Sequence, residues 1–134
     1  MDFCPVLVIQ NNHLIKNIES IIKIKRKVQQ MMKNITEKEF RYLVDSNKTL
    51  VIDFSAGWCS PCKALSPVFG QLSDEINNAD FYQVDVDAET ELAKKFDIMS
   101  VPTIIIIKGG KEVSRINGFS GKESLKSQIL SKIR

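Results

Sequence analysis

Two cysteines three positions apart, Cys59 and Cys62, stand in the run Trp58-Cys59-Ser60-Pro61-Cys62, directly after the apolar stretch Leu50-Val51-Ile52-Asp53-Phe54. Thiols at that spacing can cycle between dithiol and disulfide. A strand ending at Phe54 delivers Cys59 to the start of a helix, where unpaired backbone N–H groups and the positive end of the helix dipole favour thiolate over thiol. Pro61 suits the first helical turn, because its missing N–H leaves no bond unmade there, and it stiffens the loop that holds the two sulfurs within bonding reach. The same C-x-x-C spacing also serves zinc and haem. Zinc would need further ligands, and the only other Cys and the only His, Cys4 and His13, lie far upstream. No metal site is expected.

Asp53 is an acid in the middle of an apolar strand. A buried carboxylate must be paired, or must raise its pKa and stay neutral. Either it points to a polar rim and bonds a neighbouring backbone group, or it has a chemical task.

Around these residues the chain falls into alternating elements. Thr36-Glu37-Lys38-Glu39 is a capping-box pattern opening a helix with Phe40, Leu43 and Val44 on one face. Leu50 to Phe54 reads as a central strand covered on both sides. From Cys59 to about Asn77, Leu65, Val68, Phe69, Leu72 and Ile76 trace one helical face, and Pro67 inside it predicts a kink. Phe81 to Asp85 alternates as a strand, and Glu89 to Phe96 is a short helix. Thr103 to Ile107 is a buried strand, Gly109-Gly110 a hairpin turn, and Glu112 to Ile116 an edge strand. Ser120 to Glu123 repeats the capping box before a last helix carrying Leu125, Ile129 and Leu130. The expected class is α/β, a central mixed sheet with helices on both faces.

From about Lys33 to the C-terminus the chain resembles thioredoxin. The resemblance is carried by Val51-Ile52-Asp53-Phe54-Ser55-Ala56, Trp58-Cys59-x-Pro61-Cys62-Lys63, Asp85-Val86-Asp87, Val101-Pro102-Thr103, and Lys108-Gly109-Gly110 followed by Gly118, in thioredoxin order and spacing. It implies the thioredoxin fold and a protein disulfide reductase that binds no cofactor, its redox group being the Cys59–Cys62 disulfide. Cys59, which precedes the helix and is expected to be the more exposed sulfur, would attack a substrate disulfide; Cys62, one turn in and partly covered, would resolve the mixed disulfide. The family places Asp53 behind Cys62 as the base that accepts its proton. A Lys often stands near that acid in the family, but Gln83 occupies the position here. Pro102 is implied to be cis, with Val101 offering strand-like hydrogen bonds to a substrate peptide. Trp58, Gly57, Ser60, Pro61, Gly118 and Phe119 would complete a shallow, largely apolar docking surface, although Trp58 could equally be ordinary packing. Ser60 replaces the commoner Gly, its hydroxyl either donating towards the Cys59 sulfur or facing water. Ser55 replaces a Trp found in many bacterial members.

The implied partners are thioredoxin reductase as electron donor and disulfide-containing proteins such as ribonucleotide reductase, peroxiredoxin or methionine sulfoxide reductase. Two other functions compete. One is a redox-silent thioredoxin-like binding module, against which intact Cys59, Cys62, Asp53 and Pro102 argue. The other is a specialised oxidase or isomerase of the same fold; such members usually carry a His between the cysteines, unlike Ser60-Pro61.

The 134 residues are one domain's length, and 43% hydrophobic composition suffices for a packed core. The net charge of +3 belongs to residues 1–32, where five basic residues face Asp2 and Glu19, so residues 33–134 balance and nucleic-acid binding is not indicated. Two domain units are expected: an N-terminal extension, 1–32, and a thioredoxin domain, 33–134. Within 13–32, Leu14, Ile15, Ile18, Ile21, Ile22, Val28 and Met32 give an apolar stripe with Lys and Arg opposite, the pattern of a basic amphipathic helix and the one place where membrane contact is indicated. The competing reading is a mis-assigned start upstream of Met31-Met32-Lys33. Cysteine usage does not suit a secreted disulfide framework, and no secretory signal is recognised. A cytoplasmic monomer is expected, with organelle targeting the alternative if the extension is a presequence.

Overall fold

Six consecutive buried residues, Leu50–Ser55, form β1 at the heart of the sheet. In the computed structural model, which describes residues 33–134 together with Ile18 and Ile21, the elements run α1 (Glu37–Asp45), β1, α2 (Ser60–Glu75), β2 (Asp80–Asp85), α3 (Thr90–Lys95), β3 (Thr103–Lys108), β4 (Lys111–Asn117) and α4 (Lys122–Ile133). The sheet order is β2-β1-β3-β4. β1 and β2 are parallel, with α2 as the crossover that a parallel pair needs, while β3 and β4 run antiparallel to their neighbours. A bridge from Asn34 to Gln83 extends the sheet beyond β2, so residues 33–35 belong to it, a pairing the sequence patterns did not foretell.

The strand period of two divides the core between the two faces of the sheet. Val51, Ile104 and Ile106 pack with Leu65, Phe69 and Leu72 of α2 and Leu125 and Ile129 of α4. Leu50, Ile52, Phe54, Ile105 and Ile107 point the other way, to Phe40 of α1 and Leu92 of α3. Both faces are covered, which is why β1 and β3 read as continuous apolar runs. Asp53 alternates with Val51, so it lies on the α2 side of a buried strand. The expected three-layer α/β arrangement is the one observed.

Local signals set most boundaries. Thr36 caps α1, its Oγ1 accepting the Glu39 N–H at 3.2 Å. Gly109 and Gly110 adopt φ of +61° and +79°, the left-handed pair that a two-residue hairpin turn needs and that side chains resist. α2 runs through Pro67 within its assigned span and ends at Glu75, two residues early. The second capping box does not form: Gly121, at φ +111°, is the cap of α4, and it makes no side-chain cap hydrogen bond. That one-residue displacement moves Glu123 off the third helical position, from which it would have reached back to Ser120.

Among the described residues no helix is long and apolar enough to cross a membrane. Of the expected amphipathic stripe, Ile18 and Ile21 are helical and exposed; the rest of 13–32, with Cys4 and His13, lies outside the described residues.

Candidate active site

Cys59 is the N-cap of α2, with extended backbone angles, and Pro61 occupies the helix's first turn. Its sulfur takes the place that a Ser or Asp oxygen usually fills, accepting the Cys62 backbone N–H at 3.2 Å. That N–H and the helix dipole stabilise negative charge on Cys59 once the sulfur is reduced. Cys59 and Cys62 are joined as a disulfide with their Cα atoms 5.3 Å apart. Opposite them, the Val101 carbonyl oxygen lies 3.6 Å from Cys59 Sγ. A disulfide sulfur has no proton to donate, so this is close apposition, and it becomes a hydrogen bond only for the thiol. The expected contrast in exposure is not found: Cys59 is 5% and Cys62 3% exposed, because Val101 and Val86 pack over the pair with Ala56. What distinguishes the two sulfurs is their place on the helix.

Asp53 is wholly buried. The parallel register sets it directly beside Gln83, which alternates with Phe81 and so faces the same side of the sheet. Gln83 Nε2 donates to Asp53 Oδ2 at 3.2 Å and to Ser55 Oγ at 2.9 Å, while among the described residues Asp53 Oδ1 has no hydrogen-bond partner. Burial pushes the Asp53 carboxyl up to about 7, against a smaller downward pull from the Gln83 bond. A cleft of about 230 Å³ opens beside this group, lined by Ser55, Gly57, Cys62, Lys63, Gln83 and Asp85 among others.

Of the remaining expected positions, Val101 packs on the disulfide, and the others lie in the segments next to it in sequence, beside Val101 and in the loop after β4. The Val101–Pro102 bond is cis, Val101 is half-buried and Pro102 buried. The Gly118 N–H donates to the Pro102 carbonyl at 2.9 Å, tying the loop after β4 to the loop before β3. Phe119 packs its half-buried ring against the core beneath. Gly57, Ser60 and Pro61 are exposed. Trp58 is 71% exposed and its Nε1–H donates to Asp87 Oδ2 at 2.9 Å, which answers the packing alternative: the indole stands on the surface. Met99, 92% exposed and two residues before Val101, was not singled out from the sequence, nor was Asp87 as the indole's partner.

This geometry has known counterparts. A thioredoxin family model matches residues 31–131. The chain belongs to the thioredoxin family. It is 41% identical over 99 residues to a thioredoxin of Mycoplasmoides gallisepticum, covering 73% of this chain and 99% of that protein. It is 40% identical over 87 residues, 64% of this chain, to a bifunctional thioredoxin reductase/thioredoxin of Mycobacterium leprae, of which it spans 19%. The thioredoxin domain also superposes on the X-ray structure of Fasciola hepatica thioredoxin with a TM-score of 0.69 and 36% identity, over 76% of this chain and 99% of that one. With its disulfide-forming cysteine pair, the protein is a thiol-disulfide oxidoreductase of the reductase type.

Proposed function

We propose that the protein reduces protein disulfides by a two-step exchange in which Cys59 attacks, Cys62 resolves and Asp53 serves as the base for Cys62. The Cys59 thiolate attacks one sulfur of a substrate disulfide, forming a mixed disulfide and releasing the first substrate thiolate, which takes up a proton. Cys62 then gives its proton to the Asp53 carboxylate and attacks Cys59 Sγ. The Cys59–Cys62 disulfide forms and the second substrate thiolate leaves, so that two electrons have passed from the dithiol to the substrate. The observation that supports this order is the capping bond from the Cys62 N–H to Cys59 Sγ, which favours the thiolate at Cys59 alone.

Docking falls to Val101, whose carbonyl sits beside the reactive sulfur, and to Pro102, Trp58, Gly57, Ser60, Pro61, Gly118 and Phe119 around it. A substrate strand laid along Val101 would meet backbone hydrogen-bonding groups and an apolar rim. Thioredoxin reductase is the proposed electron donor, a reading that the fused M. leprae relative supports. No bound cofactor is required by these steps.

The test is chemical. In the reduced protein, iodoacetamide near neutral pH should label Cys59 before Cys62, Cys59→Ser should abolish insulin reduction, and Cys62→Ser should accumulate the mixed disulfide. Preferential labelling of Cys62 would overturn the assignment. We place the domain boundary at 32/33, because Ile35 is buried and 33–35 pair with β2; a chain starting at Met32 should fold and reduce insulin, and loss of either would move the boundary. Action in the cytoplasm is the proposed location, and cleavage within 1–32, read by mass spectrometry of protein from its source, would transfer it to an organelle.

A further inference from the structure

We propose that Gln83 is a positioning residue for the resolving step: it pins Oδ2 of Asp53 and leaves Oδ1 as the oxygen that takes the Cys62 proton. This rests on the reading of Asp53 as the base for Cys62. Gln83 stands beside Asp53 because the parallel ladder pairs the two residues on the α2 side of the sheet. One nitrogen, Nε2, carries both N–H groups of the amide; one goes to Asp53 Oδ2 at 3.2 Å and the other to Ser55 Oγ at 2.9 Å. Two fixed points hold the amide, and the amide holds the carboxylate.

Oδ1 is the consequence. A buried carboxylate oxygen without a partner is unfavourable whenever the group is ionised. Here that oxygen is what the chemistry needs, an acceptor not already committed to a donor. Ser55, Gln83 and Cys62 all line the cleft, so the amide that holds Oδ2 and the resolving cysteine border one space. Gln83 brings donors to Asp53 without bringing a charge. The charged groups near it are Lys63 of α2 and Asp85 at the end of β2, both lining the cleft and neither bonded to Asp53; from β3, Asp53 faces apolar Ile104. The carboxylate is therefore held by one neutral bond, which favours its ionised form against burial.

The expected signature is in the pH dependence of resolution. The decay of the mixed disulfide formed between the reduced protein and a peptide disulfide would be followed by rapid quench from pH 5 to 10. The wild-type rate should show a step where Asp53 ionises. Gln83→Leu removes the bond that favours the carboxylate and should move that step to higher pH, whereas Gln83→Lys adds a positive charge and should move it to lower pH, each by about half to one pH unit. At pH 6 the Leu variant should resolve about three- to tenfold slower, while the attack by Cys59 changes in neither variant. A purely structural role would alter stability without opposite shifts of the step. Asp53→Asn separates the two readings. If that variant loses the step but both Gln83 variants keep the wild-type position, the proposal is overturned and Asp53 remains the base; if Asp53→Asn keeps the step, Asp53 is not the base and the proposal falls with it.

Discussion

Replacing Asp53 by Asn should stabilise the oxidised protein at alkaline pH and not at acid pH. The sign follows from proton binding. Below the ordinary carboxyl value of 3.8 both folded and unfolded chains carry the proton, and Asp53 makes no difference. Between 3.8 and about 7 the unfolded chain has lost its proton while the folded one retains it, so stability falls as pH rises, by up to about 1.36 kcal/mol per pH unit. Above about 7 both are ionised and the penalty levels off near 4 kcal/mol. Asn carries no such penalty. Its oxygen can accept the Gln83 N–H, but its amide brings N–H groups that need acceptors of their own in a buried site, a cost of about 1–3 kcal/mol that does not vary with pH. The net gain at pH 8.5 should be about 1–3 kcal/mol, and at pH 4.5 the gain should vanish or reverse, a swing of about 3 kcal/mol. The assay is urea unfolding of both oxidised proteins at the two pH values, where the disulfide keeps Cys59 and Cys62 from titrating. With slopes of about 1–3 kcal/mol/M, the difference in midpoints should change by about 1–3 M. A difference that stays constant between pH 4.5 and 8.5 would refute the reasoning.

Three further outcomes are expected. Phe69→Ala should lower stability by about 3–5 kcal/mol in denaturant titrations, since the ring is fully buried and packs at a tilt against Phe81, ring centroids 5.1 Å apart. Gly110→Ala should cost about 1–2 kcal/mol from its positive φ alone, because the added Cβ meets Val44 only at ordinary contact distance, and Gly109→Asn should cost less because Asn tolerates this region. Met99→Asp should raise KM for a protein disulfide by about three- to tenfold, through lost apolar contact, while leaving reduction of a small aromatic disulfide unchanged; equal effects on both would show that Met99 acts on the thiols and not on docking.

Much of this was legible in the sequence because the signals are local. Cys59 and Cys62 declare themselves by spacing, α1 by the Thr36 cap, the hairpin by two glycines, and β1 and β3 by apolar runs that only a doubly covered strand can carry. The second capping box misled because Ser120-to-Glu123 spacing is necessary but not sufficient: Gly121 can take the φ of +111° that starts α4 one residue later. The exposure of the sulfurs was misjudged because the cover over Cys59 comes from Val86 and Val101, far away in the chain. The Trp58–Asp87 bond and the Asn34 bridge were out of reach for the same reason, since each joins segments whose meeting depends on the closed fold.

Asp53 shows how the two kinds of information combine. A strand buried on both faces has no place for a carboxylate, and a penalty near 4 kcal/mol is a large part of the 5–15 kcal/mol by which a domain of this size is stable. Sequence locality puts this acid only six residues before the cap of α2, on the same strand-turn-helix unit that carries both sulfurs. Its electrostatic setting, however, comes from β2: had the β1–β2 register slipped by one residue, Gln83 would face α1 and α3, and a residue of the opposite parity, Tyr82 or Val84, would stand beside Asp53. With Val84 there the carboxylate would be buried without the Gln83 donor, which drives its pKa further up and, on the proposed assignment, leaves Cys62 without a base near neutral pH. On the proposed assignment of Asp53 as the base for Cys62, the β1–β2 register is thus a condition for the resolving step, because it sets Gln83 beside the carboxylate.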